Sequence, residues 1–151
     1  MSDADAAGPL GFKPTITDHP VDVGLRSEAA ILAALVKRGY AVLLPFGVNQ
    51  RYDLVLDLGE RFVRVQCKTG RMRNGSVQFK TQSVSTNTRG STLRGYQGEV
   101  EAFLVYCPET VGTYLVPVEE ATRSQMALRV NSSLNRQCRR VHWASDYELP
   151  G

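Results

Sequence analysis

The chain has 151 residues and a net charge of +3, with 42% apolar and 22% charged residues, which suits one domain around one core. No apolar run approaches the roughly 20 residues of a membrane-spanning helix, and the Asp- and Ala-rich N-terminus does not resemble a signal peptide. The three cysteines, Cys67, Cys107 and Cys138, have no zinc-binding spacing. We therefore expect a soluble cytoplasmic protein without a membrane partner.

The first predicted elements are an arm, a helix and a short strand. Prolines break residues 1–20 into a flexible arm, and residues 21–151 then form a single domain. A helix with an apolar stripe ends at Gly39. Glu28 lies on that stripe, where an unpaired carboxylate is costly; alternatively, it is a first-turn glutamate favoured by the helix dipole. Residues 40–44 are typical of a short buried strand.

A hairpin forms the centre of the predicted fold. Residues 52–58 and 61–68 both alternate between apolar and polar side chains, as strands with one buried face do. If the intervening turn has two residues, Asp53 lies opposite Gln66, with Lys68 as a diagonal neighbour. An acid, an amide and a lysine then meet at one end of the hairpin, where stability does not require them. The alternative is a salt bridge between Asp53 and Lys68 with no functional role.

The second half of the chain is predicted to contain strands, a polar loop and short polar helices. Apolar segments predict three strands, at residues 76–80, 100–107 and 113–118. The Ser-, Thr-, Gly- and Arg-rich segment 81–98 is predicted to be a loop, and short helices are predicted at residues 119–122 and 132–140.

Basic residues are segregated along the chain. From Arg61 to Gly98 there are eight cations and no acid, and from Ala121 to Ser145 there are five arginines and no acid. Arg and Lys bind phosphates and release their counterions. The basic segments therefore indicate either a polyanionic partner or a solvated basic surface. The candidate nucleic-acid contacts are Arg71, Arg73, Lys80, Arg89, Arg94, Arg136, Arg139 and Arg140.

Several segments, in this order, resemble the PD-(D/E)xK nuclease superfamily, which is restriction-endonuclease-like. The resemblance is closest to the group I intron homing endonucleases of that fold and more distant to archaeal Holliday-junction resolvases. It covers roughly residues 24–120 and rests on residues 24–28 (GLRSE), 45–47 (PFG), 51–55 (RYDLV), 65–70 (VQCKTG), 106–109 (YCPE) and 114–117 (YLVP). It implies an α/β fold with an αβββαβ core, in which helices flank a mixed central sheet, and Mg²⁺-dependent cleavage of DNA, with Mn²⁺ as an alternative ion.

The same resemblance implies roles for individual residues. Asp53 matches the metal-binding Asp of the motif, Lys68 its Lys, and Glu28 the helical Glu of many members. Gln66 stands where most members have Glu or Asp. The implied catalytic residues are therefore Glu28, Asp53, Gln66 and Lys68, and the implied metal ligands are Asp53, Glu28, Gln66 and the backbone carbonyl of Cys67.

Gln66 leaves the activity open between two hypotheses. Either the amide is an accepted variant and Glu28 compensates for the missing charge, or the site has decayed and a catalytically inactive DNA-binding module remains. A protein-interaction domain of the same fold is a third hypothesis. For an active enzyme we expect a homodimer or homotetramer, because cutting both strands of a duplex needs two active sites.

Overall fold

The computed structural model describes residues 8–132 and 140–151. In these residues one α-helix, α1 (Pro20–Lys37), precedes all the strands. The strands are β1 (Ala41–Leu43), β2 (Leu54–Asp57), β3 (Phe62–Thr69), β4 (Arg71–Arg73), β5 (Ser76–Lys80), β6 (Ser83–Asn87), β7 (Gly90–Arg94), β8 (Ala102–Cys107), β9 (Gly112–Pro117) and β10 (Gln125–Arg129). Short 3₁₀ turns lie at Pro9–Gly11, Val118–Glu120 and Ala144–Asp146. No helix in this part of the chain is long and apolar enough to cross a membrane.

A mixed five-stranded sheet, in the order β1-β2-β3-β8-β9, forms the centre of the fold. Strands β3 and β8 are parallel, and the other neighbours are antiparallel. Helix α1 packs on one face, where Ile31 and Leu35 meet Leu54, Val65 and Leu104. A second sheet, β10-β5-β4, covers the opposite face. The prediction of a mixed α/β fold is therefore confirmed.

The β2–β3 hairpin has the predicted alternation and turn. Leu54 pairs with Val65 and Leu56 with Val63, and all four side chains are buried. The Leu58 N–H donates to the Arg61 carbonyl oxygen at 2.9 Å, which closes a two-residue turn. Because side chains alternate with a period of two, this register places every apolar side chain of the hairpin core on the α1 side.

The αβββαβ arrangement is wrong in one respect. Parallel neighbours such as β3 and β8 need a crossover connection, and the resemblance implied that this crossover contains a helix. The crossover instead consists of β4, β5, β6 and β7, without an α-helix among its residues. Its Thr and Val residues favour strands. Asn74 and Gly75, both with positive φ, make the tight turn between β4 and β5. One described helix therefore covers the central sheet, not several.

Other predicted elements differ in detail. Residues 81–98, predicted as a loop, contain the exposed β6–β7 hairpin, and residues 40–44 give an edge strand that is largely exposed, not buried. Only a 3₁₀ turn lies near residues 119–122, and β10 was not predicted. The predicted helix at residues 132–140 falls mostly outside the described residues.

Candidate active site

Helix α1 is attached to the end of β3 next to the predicted catalytic residues. The hydroxyl groups of Ser27 and Thr69 are hydrogen-bonded at 2.6 Å, and Ser27 is only 3% exposed. Ser27 precedes Glu28 on the helix, and Thr69 follows Lys68 on the strand. This contact therefore fixes the position of half-buried Glu28 relative to the strand end that carries Lys68.

Asp53 lies immediately before β2, where the pairing of the hairpin changes. Its N–H donates to the Val65 carbonyl oxygen at 2.8 Å, although the ladder pairs Val65 with Leu54. Asp53 and Leu54 therefore both lie opposite Val65, as in a β-bulge, which changes the direction of a side chain. The predicted position of Asp53 directly opposite Gln66 is therefore wrong by one step. Its carboxylate Oδ2 instead accepts a 2.8 Å hydrogen bond from the Cys67 N–H.

The bulge brings Asp53 under the electrostatic influence of Glu28 as well as Lys68. Burial raises the pKa of Asp53, against the lowering effects of the Cys67 N–H and the Lys68 charge. Burial also raises the pKa of Glu28, and the negative charge of Asp53 raises it further. Two carboxylates from different elements therefore share one partly dehydrated region whose negative charge Lys68 does not fully offset.

Lys68 contacts Tyr96 at this strand end. Its Nζ donates to the hydroxyl of Tyr96 at 3.1 Å and lies 4.6 Å from the centre of the Tyr96 ring. An ammonium held in this way keeps two further N–H groups for a substrate or a water. Lys68 is also among the residues that line a surface groove, so the ammonium lies where a ligand in the groove could meet it.

Gln66 and Cys67 supply neutral oxygen atoms at the same strand end. The Gln66 side-chain Nε2 donates to the Cys67 carbonyl oxygen at 3.5 Å. Burial, followed by the charges of Asp53 and Glu28, raises the pKa of the Cys67 thiol. This thiol is therefore protonated at neutral pH and is unsuited to act as a thiolate ligand or nucleophile.

The donor set of this site fits a hard divalent cation. In residues 8–132 and 140–151 no three His, Cys, Asp or Glu side chains group as metal ligands. Two carboxylates, one amide oxygen and one backbone carbonyl remain, and oxygen ligands of this kind are those that Mg²⁺ prefers. A cation would also relieve the repulsion that raises the pKa of Glu28.

A basic groove begins at Lys68 and leads away from the site. It encloses about 470 Å³, and it is lined by residues of β3, β4, β5 and the start of β6 together with Gln125 of β10. Its cations are Lys68, Arg71, Arg73 and Lys80. An open groove with this charge is suited to a phosphate backbone, because each neutralised phosphate releases counterions.

The structure brings only some of the predicted nucleic-acid contacts to this groove. Arg71, Arg73 and Lys80 line it, whereas Arg89 is exposed at the tip of the β6–β7 hairpin. Arg94 forms an ion pair with Glu99 at the base of that hairpin. Arg140 is exposed, with no groove contact; Arg136 and Arg139 lie outside the described residues.

From the sequence, no role was predicted for Arg51 or for Tyr96, which lies in the segment 81–98 that was predicted to be a loop. Tyr96 is instead 4% exposed, and its ring packs edge-to-face on Phe103 at 5.5 Å. The Arg51 guanidinium lies 4.2 Å from the centre of the same ring. The one available signal for Tyr96 was its position as the single aromatic residue in the polar segment 81–98.

These features define a class of protein. Restriction-endonuclease-like nucleases have a mixed sheet with a packed helix. They also have an acid and a lysine at the end of a central hairpin, here with a second acid on the helix and a basic groove beside them. The chain belongs to the PD-(D/E)XK endonuclease family, whose sequence profile matches residues 19–150.

Two solved structures are similar to this chain. The bacterial homing endonuclease I-Ssp6803I is similar to this chain with a TM-score of 0.68 and 25% sequence identity, covering 83% of this chain and 85% of the other. The Holliday junction resolvase Hjc from Archaeoglobus fulgidus gives a TM-score of 0.42 and 19% identity, covering 70% of this chain and 83% of the other. No curated protein matches this chain significantly in sequence.

Proposed function

We propose that this chain is a metal-dependent DNA endonuclease that hydrolyses phosphodiester bonds in duplex or branched DNA, as its structural relative, a homing endonuclease, suggests. The observation that carries the proposal is the position of Glu28, Asp53 and Lys68. Burial raises the pKa of both carboxyl groups, the charge of Asp53 raises that of Glu28 further, and the lysine stands at the start of a basic groove. Neither feature is needed to stabilise the hairpin.

In this proposal the carboxylates of Asp53 and Glu28 hold Mg²⁺, with Mn²⁺ as an alternative, and the Gln66 amide oxygen and the Cys67 carbonyl complete the protein ligands. Bound Mg²⁺ supplies a Lewis acid for the scissile phosphate and a coordinated water of lowered pKa. The Cys67 N–H holds Oδ2 of Asp53, which orients the carboxylate. Lys68 offsets the negative charge that develops on the phosphate.

Arg71, Arg73 and Lys80 bind the DNA backbone along the groove, and they hold the substrate where Lys68 can reach a phosphate. Arg89 at the hairpin tip adds a contact further along the duplex. These cations are exposed, so they set affinity and position, not the chemical step. Their contribution depends on salt, since it comes from counterion release.

The proposed enzyme acts as a homodimer or homotetramer. An apolar surface supports this: Phe62 is 64% exposed and lines one surface pocket with Leu43 and Leu44 at the end of the edge strand β1, and the fully exposed Phe46 follows in the same loop. An uncovered sheet edge beside exposed aromatic residues is a typical place for association. Two copies also supply the two active sites that cutting a duplex requires.

Cleavage of plasmid and four-way-junction DNA across a Mg²⁺ and Mn²⁺ titration tests this function. We expect metal-dependent nicking by the wild type, none by Asp53→Asn or Lys68→Ala, and normal activity of Asp57→Asn. Asp57 is a matched control, because its carboxylate only accepts the Gly59 N–H at the hairpin turn, at 2.8 Å. DNA binding without cutting by the wild type would leave the DNA-binding module, which the neutral Gln66 favours. No DNA affinity at low salt would favour a protein-interaction domain.

A further inference from the structure

We propose that Tyr96 is a positioning residue for the nuclease reaction: its hydroxyl holds the ammonium of Lys68 in the active site. This inference rests on the proposed function. It starts from a buried phenol in a crossover that otherwise has few apolar side chains. The only hydrogen-bond partner of the Tyr96 hydroxyl in the described part of the chain is Lys68 Nζ, at 3.1 Å.

Packing alone does not explain a tyrosine at this position. The ring already fills its place against Phe103, and a phenylalanine would make the same edge-to-face contact. The hydroxyl is an additional polar group in a nearly closed environment, where it needs a partner. It accepts a hydrogen bond from a charged donor, which is stronger than one between neutral groups.

The ring and the hydroxyl act on the same ammonium. Lys68 Nζ lies 4.6 Å from the ring centre, within the range of a cation–π interaction. A lysine side chain has four rotatable bonds, and free in solvent it would adopt many rotamers. Two simultaneous contacts restrict it to one position, so that its remaining N–H groups are directed before the substrate arrives.

Arg51 fixes the tyrosine in turn. Its guanidinium lies 4.2 Å from the centre of the Tyr96 ring. It also donates to the Ser83 hydroxyl and the Gly95 carbonyl oxygen, each at 2.7 Å, and pairs with Glu99. Ser83 is the first residue of β6 and Gly95 follows the last residue of β7, so both lie at the base of the β6–β7 hairpin. The hairpin base, the tyrosine and the lysine are therefore connected by direct contacts.

The test replaces Tyr96 with Phe, which keeps the ring and removes only the hydroxyl. Loss of one hydrogen bond to a charged group predicts a single-turnover cleavage rate about 10- to 100-fold lower. The DNA dissociation constant, measured with Ca²⁺ in place of Mg²⁺, should not change. The matched control is Tyr114→Phe, since Tyr114 is equally buried and its hydroxyl bonds to Thr110 at 2.9 Å. That variant should cut at the wild-type rate.

A second measurement does not need activity. Of the four lysines, Lys13, Lys37, Lys68 and Lys80, only Lys68 lies against an aromatic ring in the described residues. Its ε-methylene protons should therefore show a ring-current shift in metal-free protein labelled at lysine, and this shift should be smaller in Tyr96→Phe, in which no hydroxyl holds the ammonium. A Lys68 signal that coincides with the other lysines would overturn the proposal. So would a Tyr96→Phe rate equal to that of Tyr114→Phe. A wild type that cuts no DNA would refute the proposed function instead, and the NMR result would still stand.

Discussion

Asp53→Asn should make the metal-free protein more stable while it abolishes cleavage. The pKa of Asp53 is raised, although the Cys67 N–H and Lys68 both favour its ionised form. The folded environment therefore disfavours this negative charge even after those favourable contacts are included. An asparagine has the same shape and keeps an oxygen for the Cys67 N–H, but it carries no charge to repel Glu28.

The expected gain is modest. Substitutions that remove an unfavourable feature of this kind typically stabilise a protein by about 0.5–2 kcal/mol. We expect the lower half of that range, because Asp53 is partly exposed and solvent screens its charge. For a chain of this length, 1 kcal/mol corresponds to a rise in Tm of roughly 2–4 °C.

The pH dependence of this gain identifies its cause. Protonated Asp53 contributes stability to the wild type below the ordinary carboxyl pKa, and this contribution is lost as the pH rises through the raised folded-state pKa. The advantage of Asp53→Asn should therefore be absent in acid and complete at neutral pH. Thermal denaturation in EDTA, from acid to neutral pH, measures it, with Asp57→Asn as the control. An equal or lower Tm for Asp53→Asn at neutral pH would refute the electrostatic reasoning.

Three further predictions concern other parts of the site and its surroundings. Ser27→Ala removes the hydrogen bond to Thr69 and should lower the free energy of unfolding in urea by about 0.5–1.5 kcal/mol. Arg73→Ala should reduce the slope of log K against log salt for DNA binding by about 0.9; an unchanged slope would place Arg73 outside the interface. Phe62→Glu should reduce the molar mass in light scattering to that of one chain, whereas Val111→Glu, at an exposed loop position, should not.

The hairpin register could be predicted from the sequence because a period of two leaves little freedom. Once Leu54, Leu56, Val63 and Val65 must share a buried face and the turn has two residues, a slip by one position would expose all of them. Local pattern and burial agree here, so the prediction is confirmed up to Leu54.

The pairing of Asp53 could not be predicted in the same way. A bulge depends on how the backbone enters the strand, and neither the alternation nor any glycine marks it in this sequence. Its effect is nevertheless large, because it directs the carboxylate to the Cys67 N–H. The sequence indicated which residues belong to the proposed site, and the bulge decides which of their atoms meet.

The crossover was missed for a different reason. Segment 71–94 has few apolar residues, so periodicity gave only a weak signal for β5 and none for β6 and β7. The burial of β5 depends on β10, its neighbour in space, which lies more than forty residues further along the chain. Tyr96 is subject to the same limit, because its partners Arg51, Lys68 and Phe103 come from three separate segments.

Gln66 is best understood through the charge balance of the proposed site. Glu28 and Asp53 contribute two negative charges and Lys68 one positive charge, so one divalent cation leaves the site with one positive charge. That charge matches the single negative charge of a phosphodiester. A glutamate at position 66 would cancel it, in a region where burial already raises the pKa of both existing carboxylates. A neutral amide thus keeps an oxygen ligand without adding a third charge to the repulsion. On this argument the position of Glu28 and the identity of Gln66 are one feature, because the acid that the strand lacks is supplied by the helix.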